Sequence, residues 1–393
     1  MLVSAYLYPW DVDGDPAAVD RIAGLGLDEV SLAAAYHAVR AVTAFHPGHR
    51  IVTRDAAVYY RPGAGRWRGA ALRPVQADPG SFERAAARLQ AGGLRVNAWA
   101  VLVHGCSPGP AREPGGAPVS EDPSCCLRNA YGDRYPWALC AGSPATRRYA
   151  AALAAEVAAL DDVDAIELEA CGWYGIEHGS PHDKTGRPDA DPDARWLLSL
   201  CFCPACAEAY GQAGTDPDRA RAAVRAAMDA ALGWGTAQGG GLGEDIREGL
   251  LRARASRAEQ LLREVVAAVR AAAPQRPVLV HTDPDPRIDG SNPGYDLAVL
   301  LGPGGADGIV LGCPDPATAA SHVARAAAQA PEGARIAAVL QAVAGLGGRP
   351  GTLAEQAAAV REAGATELRL YHAGLASASD LAAIRTQLAR LGA

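Results

Sequence analysis

The sequence has no uninterrupted apolar run of about 18 residues, which is the length that a membrane-spanning helix requires. It also has no surplus of basic residues, because 37 Lys and Arg stand against 44 Asp and Glu, for a formal net charge of -7. An acidic chain does not attract polyanions, so neither nucleic acid nor an anionic membrane is an expected partner. The expected partner is therefore a small molecule, and the sequence leaves self-association into a homo-oligomer open.

The sequence shows no secretory leader and no disulfide framework. Its first residues, MLVSAYLYPWDV, alternate like a strand and lack the positive start, the apolar segment and the cleavage site of a signal peptide. The nine cysteines are an odd number, and several of them lie within apolar runs. Both features predict a reducing, cytoplasmic compartment.

The hydrophobic pattern predicts a single-domain α/β fold. Short apolar runs alternate with Ala-, Arg- and Leu-rich segments of helical period, which predicts parallel strands joined by helices. Eight such units predict a (β/α)8 TIM barrel, whereas a doubly wound sheet is disfavoured because no G-x-G-x-x-G follows the first strand. The predicted strands are Leu2–Pro9, Glu29–Tyr36, Arg95–Val103, Asp164–Ala170, Pro277–Asp283, Gly308–Cys313, Arg335–Ala342 and Glu367–Ala373.

The connections between these units differ greatly in length. The longest follows the fourth strand, from Cys171 to about Arg254, and carries a cysteine cluster and extra helical segments. No linker or repeat divides the chain, so we expect one domain over 1–393 with an insertion over 171–254. In a TIM barrel such connections lie at the C-terminal face, where active sites form.

The fourth predicted strand, DAIELEA, carries two carboxylates on one face. Because strand side chains alternate, Glu167 and Glu169 should face the barrel lumen while the intervening apolar residues face the helices. Glu169, at the tip, can reach a substrate, and Glu167 lies one layer deeper. Two carboxylates in unequal surroundings can divide into a proton donor and an ionised partner. The alternative is a structural salt bridge to an arginine such as Arg369.

The fifth predicted strand, PVLVHTD, places His281 and Asp283 on one face. Asp283 is the candidate for the second catalytic carboxylate, as base, nucleophile or stabiliser of an oxocarbenium-like centre. Its alternative role is to cap the proline-rich turn that follows. His281 is either a substrate-binding group or a buried orienting group.

Aromatic and histidine side chains recur at the predicted strand ends and in the loop after strand four. Aromatic rings stack on the apolar faces of sugars, whose hydroxyls need polar partners. Because H-E-x-x-H is absent and no H-x-H ends the first strand, a catalytic metal is disfavoured. The candidates for substrate binding are Tyr8, Trp10, His37, Trp99, His104, Trp173, His178, His281, Tyr371 and His372.

The segment CFCPAC places Cys201, Cys203 and Cys206 within six residues. Thiolates at this spacing can converge on one tetrahedral zinc ion, for which Cys171 is the nearest fourth candidate. An all-cysteine zinc site has no open position, so the ion would be structural, and no organic cofactor is expected. Unligated buried thiols are the alternative. Other candidates for the fourth ligand are Cys106, Cys125, Cys126 and Cys140.

A glutamate that ends strand four, followed by a C-x-C-x-x-C loop, resembles the family 42 glycoside hydrolases of the β-galactosidase type. DDVDAIELE is also loosely similar to the strand-four signature of family 18 chitinases. The resemblance implies that Glu169 is the acid/base and that the clustered cysteines hold zinc. Two positions depart from the pattern: Leu168 precedes Glu169 where the clan has asparagine, and strand seven supplies Gln341 where retaining enzymes have a nucleophilic glutamate.

The sequence therefore predicts a glycoside hydrolase-like enzyme that uses acid/base carboxylates on a carbohydrate or glycoside. One alternative is a metal-dependent hydrolase, or a sugar isomerase or lyase, on the same barrel. Another is a barrel that binds carbohydrate without catalysis.

Overall fold

The computed structural model describes residues 1–63, 65–105, 125–178, 183–186, 191–233 and 242–391. The strands are β1 (Leu2–Leu7), β2 (Glu29–Tyr36), β3 (Val39–Val42), β4 (Ile51–Arg54), β5 (Ala57–Val58), β6 (Arg95–Val101), β7 (Cys126–Arg128), β8 (Arg134–Leu139), β9 (Ala165–Glu169), β10 (Val278–His281), β11 (Gly308–Cys313), β12 (Arg335–Gln341) and β13 (Glu367–Tyr371). The α-helices are α1 (Ala18–Ala23), α2 (Ser81–Ala91), α3 (Pro144–Ala158), α4 (Pro192–Ser199), α5 (Pro204–Gln212), α6 (Pro217–Ala231), α7 (Glu244–Ala272), α8 (Leu297–Leu300), α9 (Ala319–Ala327), α10 (Leu353–Glu362) and α11 (Ala378–Leu391). Within these ranges, every helix is too short or too polar to span a lipid bilayer.

Eight parallel strands close into a barrel. Their order around it, β1, β2, β6, β9, β10, β11, β12 and β13, is also their order along the chain. Closure is complete because β1 pairs with β13 on one side and with β2 on the other. Parallel neighbours need long crossover connections, which the intervening helices supply. The predicted (β/α)8 barrel is confirmed.

The connection between β9 and β10 contains α4, α5, α6 and α7. Helix α7 packs against α3 on the outside of the barrel. It begins at Glu244, so the predicted end of the insertion near Arg254 falls inside this helix. The assignment of 1–393 to one domain with an insertion over 171–254 stays a prediction.

The barrel lumen changes character along its axis. A small apolar cluster in it includes Ala165, Leu279 and Val310. Two residues further along β9, Glu167 contacts side chains from β1, β10 and β13, so it points across the lumen. Glu169 follows on the same face, as the alternation predicts. Arg369 on β13 also bonds to Glu29 and Glu367, the first residues of β2 and β13, so buried charged groups extend toward the N-terminal ends of the strands as well.

Candidate active site and metal centre

A cavity of about 310 Å³ opens at the C-terminal ends of the barrel strands. Its walls combine aromatic rings, imidazoles and amides with one carboxylate among the described residues. The predicted site residues that line it are His37, Trp99, Glu169, His178, His281 and Tyr371. The sequence pattern therefore located the mouth of the barrel and about half of its lining.

Glu169 is the carboxylate of this cavity. It is the last residue of β9 and is 6% exposed. The Trp99 indole Nε1–H donates a 2.8 Å hydrogen bond to Glu169 Oε2. This bond fixes the carboxylate against the neighbouring strand, at the point where the cavity begins. A carboxyl group held in this way can exchange a proton with a bound ligand.

Glu167 lies beneath Glu169 and is fully buried. It accepts hydrogen bonds from Ser31 Oγ at 2.7 Å, from His281 Nε2 at 2.8 Å and from the Tyr6 hydroxyl. Arg369 Nε lies 3.4 Å from Glu167 Oε2, as an ion pair without a hydrogen bond. Burial raises the pKa of Glu167, but these donors and charges outweigh burial and lower the pKa to about 2. Glu167 is therefore an anion at neutral pH.

His281 is the titratable partner of Glu167. Burial lowers the pKa of His281, but the hydrogen bond and the charge of Glu167 outweigh burial and raise the pKa above its ordinary value. Burial and the same anion also raise the pKa of Tyr6, which therefore stays a phenol and donates its proton to Glu167. Tyr6 and His281 both line the cavity, so they connect the buried anion to the ligand space.

Replacing Glu167 with glutamine is expected to lower the pKa of His281 below its ordinary value, because burial, the largest influence, is then opposed only by the weaker effect of the Glu169 charge. Nitrogen-detected NMR titration of the imidazoles measures this change. Ser31→Ala is the matched control, since it removes a hydrogen bond to Glu167 but leaves its charge. An unchanged His281 pKa in Glu167→Gln would show that the anion does not hold the imidazolium.

Asp283 departs from its predicted position. Strand β10 ends at His281, so the alternation does not carry Asp283 into the lumen, and Asp283 is not among the cavity-lining residues described. Its Oδ1 accepts from the Asp285 backbone N–H at 2.8 Å, and its Oδ2 lies 3.5 Å from His322 Nε2. The hydrogen bonds of the proline-rich turn, and not the alternation of the strand, therefore set the direction of the Asp283 side chain.

Other predicted contacts lie behind the cavity wall or beside it. Tyr8 is buried between Trp10 and His372, with ring centroids 4.5 and 4.3 Å away. Burial lowers the pKa of His372 to about 3. Trp173 Nε1 donates to the Arg254 carbonyl at 3.0 Å. Tyr8, Trp10, Trp173 and His372 therefore support the wall, and His104 stands at the rim beside His37 and His178.

Sequence reasoning did not include several cavity residues that carry hydrogen-bonding groups, among them Tyr6 and Asn292. Tyr6 shares a strand face with Tyr8, so the alternation of β1 could have identified it. Asn292 lies in the irregular connection after β10, where no periodicity applies. Asn292 Oδ1 and Gln341 Oε1 are buried and have no hydrogen-bond partner among the described residues. Both residues line the cavity, and their amide oxygens are turned away from its accessible surface.

Four buried cysteines converge beside the barrel. Cys140 follows β8, Cys203 caps the N-terminus of α5, and Cys206 lies in its first turn, with Cys201 close by. Cys140 Sγ lies 3.6 Å from Cys203 Sγ and 3.4 Å from Cys206 Sγ. These separations are close to the roughly 3.8 Å edge of a tetrahedron with Zn–S bonds of ~2.3 Å. The four sulfurs are close enough to hold one metal ion, and an ion bound by all four would have no open position.

The fourth member of this cluster is Cys140 and not Cys171. Cys171 lies two residues beyond the end of β9 and is not a member of the cluster. Burial alone raises its pKa to about 12, with no contribution from another thiol. Cys140 is brought in by the β7–β8 hairpin, a long-range contact that spacing along the chain does not predict.

No protein-family profile matches the chain, and no curated protein matches it. Solved structures do match. The PgaB (BpsB) glycoside hydrolase domain from Bordetella bronchiseptica has a TM-score of 0.58 at 15% identity, over 98% of each chain. Alpha-L-fucosidase isoenzyme 2 from Paenibacillus thiaminolyticus has a TM-score of 0.55 at 13% identity, over 100% of this chain and 50% of that one. A catalytic mutant of Gan42B, a GH42 beta-galactosidase from G. stearothermophilus, has a TM-score of 0.55 at 13% identity, over 100% and 56%.

These solved structures resemble the chain in fold alone. The chain spans nearly all of the PgaB domain but about half of the fucosidase and of the beta-galactosidase. The predicted resemblance to the family 42 barrel is confirmed at this level. The function therefore depends on the residues of the site and not on the fold alone.

Proposed function

We propose that the chain is a glycosidase-type enzyme that acts on a carbohydrate or glycoside, with Glu169 as the proton donor. The observation that carries the proposal is the position of Glu169 at the tip of strand β9, within a cavity that is also lined by aromatic rings and by the amide side chains of Asn292 and Gln341. In TIM barrels, catalytic groups stand at the C-terminal ends of strands. The fold neighbours are consistent with this chemistry.

The cavity suits one sugar unit. Its volume of about 310 Å³ is at the lower end of the roughly 300–1,000 Å³ that ligand pockets occupy. Tyr36, Trp99 and Tyr371 offer ring surfaces to the C–H faces of a pyranose. The amide side chains of Asn292 and Gln341 line the same space and can hydrogen-bond hydroxyl groups.

Glu169 protonates the glycosidic oxygen as the bond breaks, and positive charge develops on the anomeric carbon; a water molecule then adds to that carbon and gives a proton to the Glu169 carboxylate, which restores the acid. The buried Glu167 anion stabilises that charge from below. Its influence reaches the ligand through Tyr6, whose hydroxyl is hydrogen-bonded to it and which lines the cavity. Glu167 therefore takes the role of partner that the sequence also allowed for Asp283.

Glu169→Gln is expected to reduce turnover by about 10²–10⁴-fold while leaving ligand affinity nearly unchanged, because the amide keeps the shape but cannot donate the proton. Hydrolysis of a panel of aryl glycosides and oligosaccharides, followed by reducing-sugar release, measures the effect. Asp283→Asn is the matched control and should keep most of the activity, since Asp283 faces its own turn. Equal losses in the two variants would contradict the assignment of Glu169.

A carbohydrate-binding barrel without catalysis is the second candidate. It is favoured by one observation, the single carboxylate among the described cavity residues, with Gln341 at the end of strand seven. Wild-type protein that binds a sugar but hydrolyses no member of the panel, with the same affinity in Glu169→Gln, would select this function.

A further inference from the structure

Three histidines from separate parts of the chain meet at the rim of the cavity. His37 follows β2, His104 follows β6 and His178 follows β9. One ring nitrogen from each lies within 4.8 Å of the others. The ring centroids are 4.6 Å apart for His37 and His104, 5.3 Å for His104 and His178, and 5.8 Å for His37 and His178.

Backbone carbonyls fix the tautomer of two of these rings. His37 Nδ1 lies 2.8 Å from the Ala38 oxygen, and His104 Nδ1 lies 3.0 Å from the Trp137 oxygen. A carbonyl only accepts hydrogen bonds, so Nδ1 carries the proton and Nε2 keeps its lone pair in each neutral ring. Histidines that bind metals usually make this second hydrogen bond, which orients the ring and strengthens the ligand.

Two of the rings are also held by stacking. His104 is buried and stacks on Tyr174 with centroids 3.8 Å apart and an interplanar angle of 6°. His37 stacks on Tyr36 at 4.1 Å. His178 is exposed and completes the group from the loop after β9. The group thus has two preorganised ligands and one at the solvent side.

We infer that His37, His104 and His178 bind a divalent transition-metal ion, with zinc as the expected ion, at the rim of the cavity. Imidazole nitrogen suits Zn²⁺, Cu²⁺ and Ni²⁺, whereas Mg²⁺ and Ca²⁺ prefer oxygen. Three protein ligands leave a position open, and His37 and His178 line the cavity together with Glu169. The open position therefore faces the ligand space, where it can hold a water molecule or a ligand oxygen. This site is separate from the cysteine cluster and does not depend on the proposed glycosidase activity.

Cobalt exchange into the folded, reduced chain tests the inference, because Co²⁺ reports the type of its ligands. Thiolate ligation gives a sulfur-to-cobalt charge-transfer band in the near ultraviolet, and ligation by nitrogen gives visible bands without it. Two equivalents are expected to bind, one with each signature. His178→Ala and His37→Ala should each weaken the nitrogen-ligated equivalent by at least about 10-fold and leave the thiolate band unchanged.

His322→Ala is the matched control, since His322 lies on α9 beside Asp283 and outside the trio. It should bind both equivalents as the wild type does. The exposed position of His178 makes its replacement compatible with folding, which a thermal melt checks. Binding of a single, thiolate-type equivalent by the wild type would overturn the inference, and so would unchanged nitrogen ligation in both trio variants.

Discussion

Cys203→Ala is expected to destabilise the chain by about 4 kcal/mol or more, and a strong chelator should destabilise the wild type in the same way. Loss of a structural metal is among the few changes that produce effects of this size. The free energy of binding zinc to such a site contributes to folding, because the unfolded chain holds no preformed ligand set. Guanidinium unfolding under reducing conditions, with zinc content measured in parallel, gives both quantities.

The effect should be concentrated where the cluster joins distant segments. Cys140 and Cys203 are 63 residues apart in sequence and come from the β7–β8 hairpin and the start of α5. Without the ion, four buried sulfurs would remain at separations too long for a disulfide bond of about 2.05 Å. Hydrogen exchange should therefore increase first in β7, β8 and α5, and less in the barrel strands.

Cys171→Ala is the matched control for this prediction, since Cys171 is equally buried but lies outside the cluster. It should retain zinc and lose about 1 kcal/mol, the usual effect of a point substitution. Equal destabilisation by Cys171→Ala and Cys203→Ala, or a wild type that a chelator leaves unchanged, would contradict a structural metal at Cys140, Cys201, Cys203 and Cys206.

The fold could be predicted because its signals are local. Each barrel strand is a short apolar run, and each helix has its own period, so the order of units along the chain determines the order around the barrel. The faces of Glu167 and Glu169 followed from alternation within one strand. The position of Glu169 at the cavity could therefore be predicted from six consecutive residues.

The parts of the site that could not be predicted depend on long-range contacts or on loop conformation. Cys140 reaches the cluster through a hairpin whose position no spacing specifies. Asp283 lies two residues beyond the last residue of β10, where turn hydrogen bonds decide its direction. His37, His104 and His178 were each identified as candidates, but their convergence on one point depends on three connections at once.

Arg369→Met is expected to destabilise the chain by about 3–5 kcal/mol, because it removes the cation from a fully buried group of carboxylates. Arg369 bonds to Glu29 at 2.6 Å and to Glu367 at 2.8 Å, and lies 3.4 Å from Glu167. Desolvated anions left without this partner would have to take up protons or draw in water. Chemical denaturation, compared at constant m-value, measures the loss.

Two further variants separate charge from volume. Arg369→Lys keeps the charge but loses the forked geometry that bonds two carboxylates at once, so its loss should be intermediate. Arg361→Met removes an exposed arginine from α10 and should change stability by no more than about 0.5 kcal/mol. If Arg369→Met were as mild as Arg361→Met, the buried group would not depend on the arginine.

The loss of stability at acidic pH is an independent test of the same buried group, Arg369 and its carboxylates. The folded pKa of Glu167 is lowered from 4.5 to about 2, in part by Arg369, so its contribution is present above pH 4.5 and is lost as the pH falls toward 2. Without Arg369 the folded pKa rises, and the contribution becomes smaller and is lost at a higher pH. Arg369→Met should therefore begin to unfold at a higher pH than the wild type on acidification, while Arg361→Met should follow the wild type. Coincident acid transitions in all three proteins would mean that the charge of Arg369 does not hold Glu167 ionised.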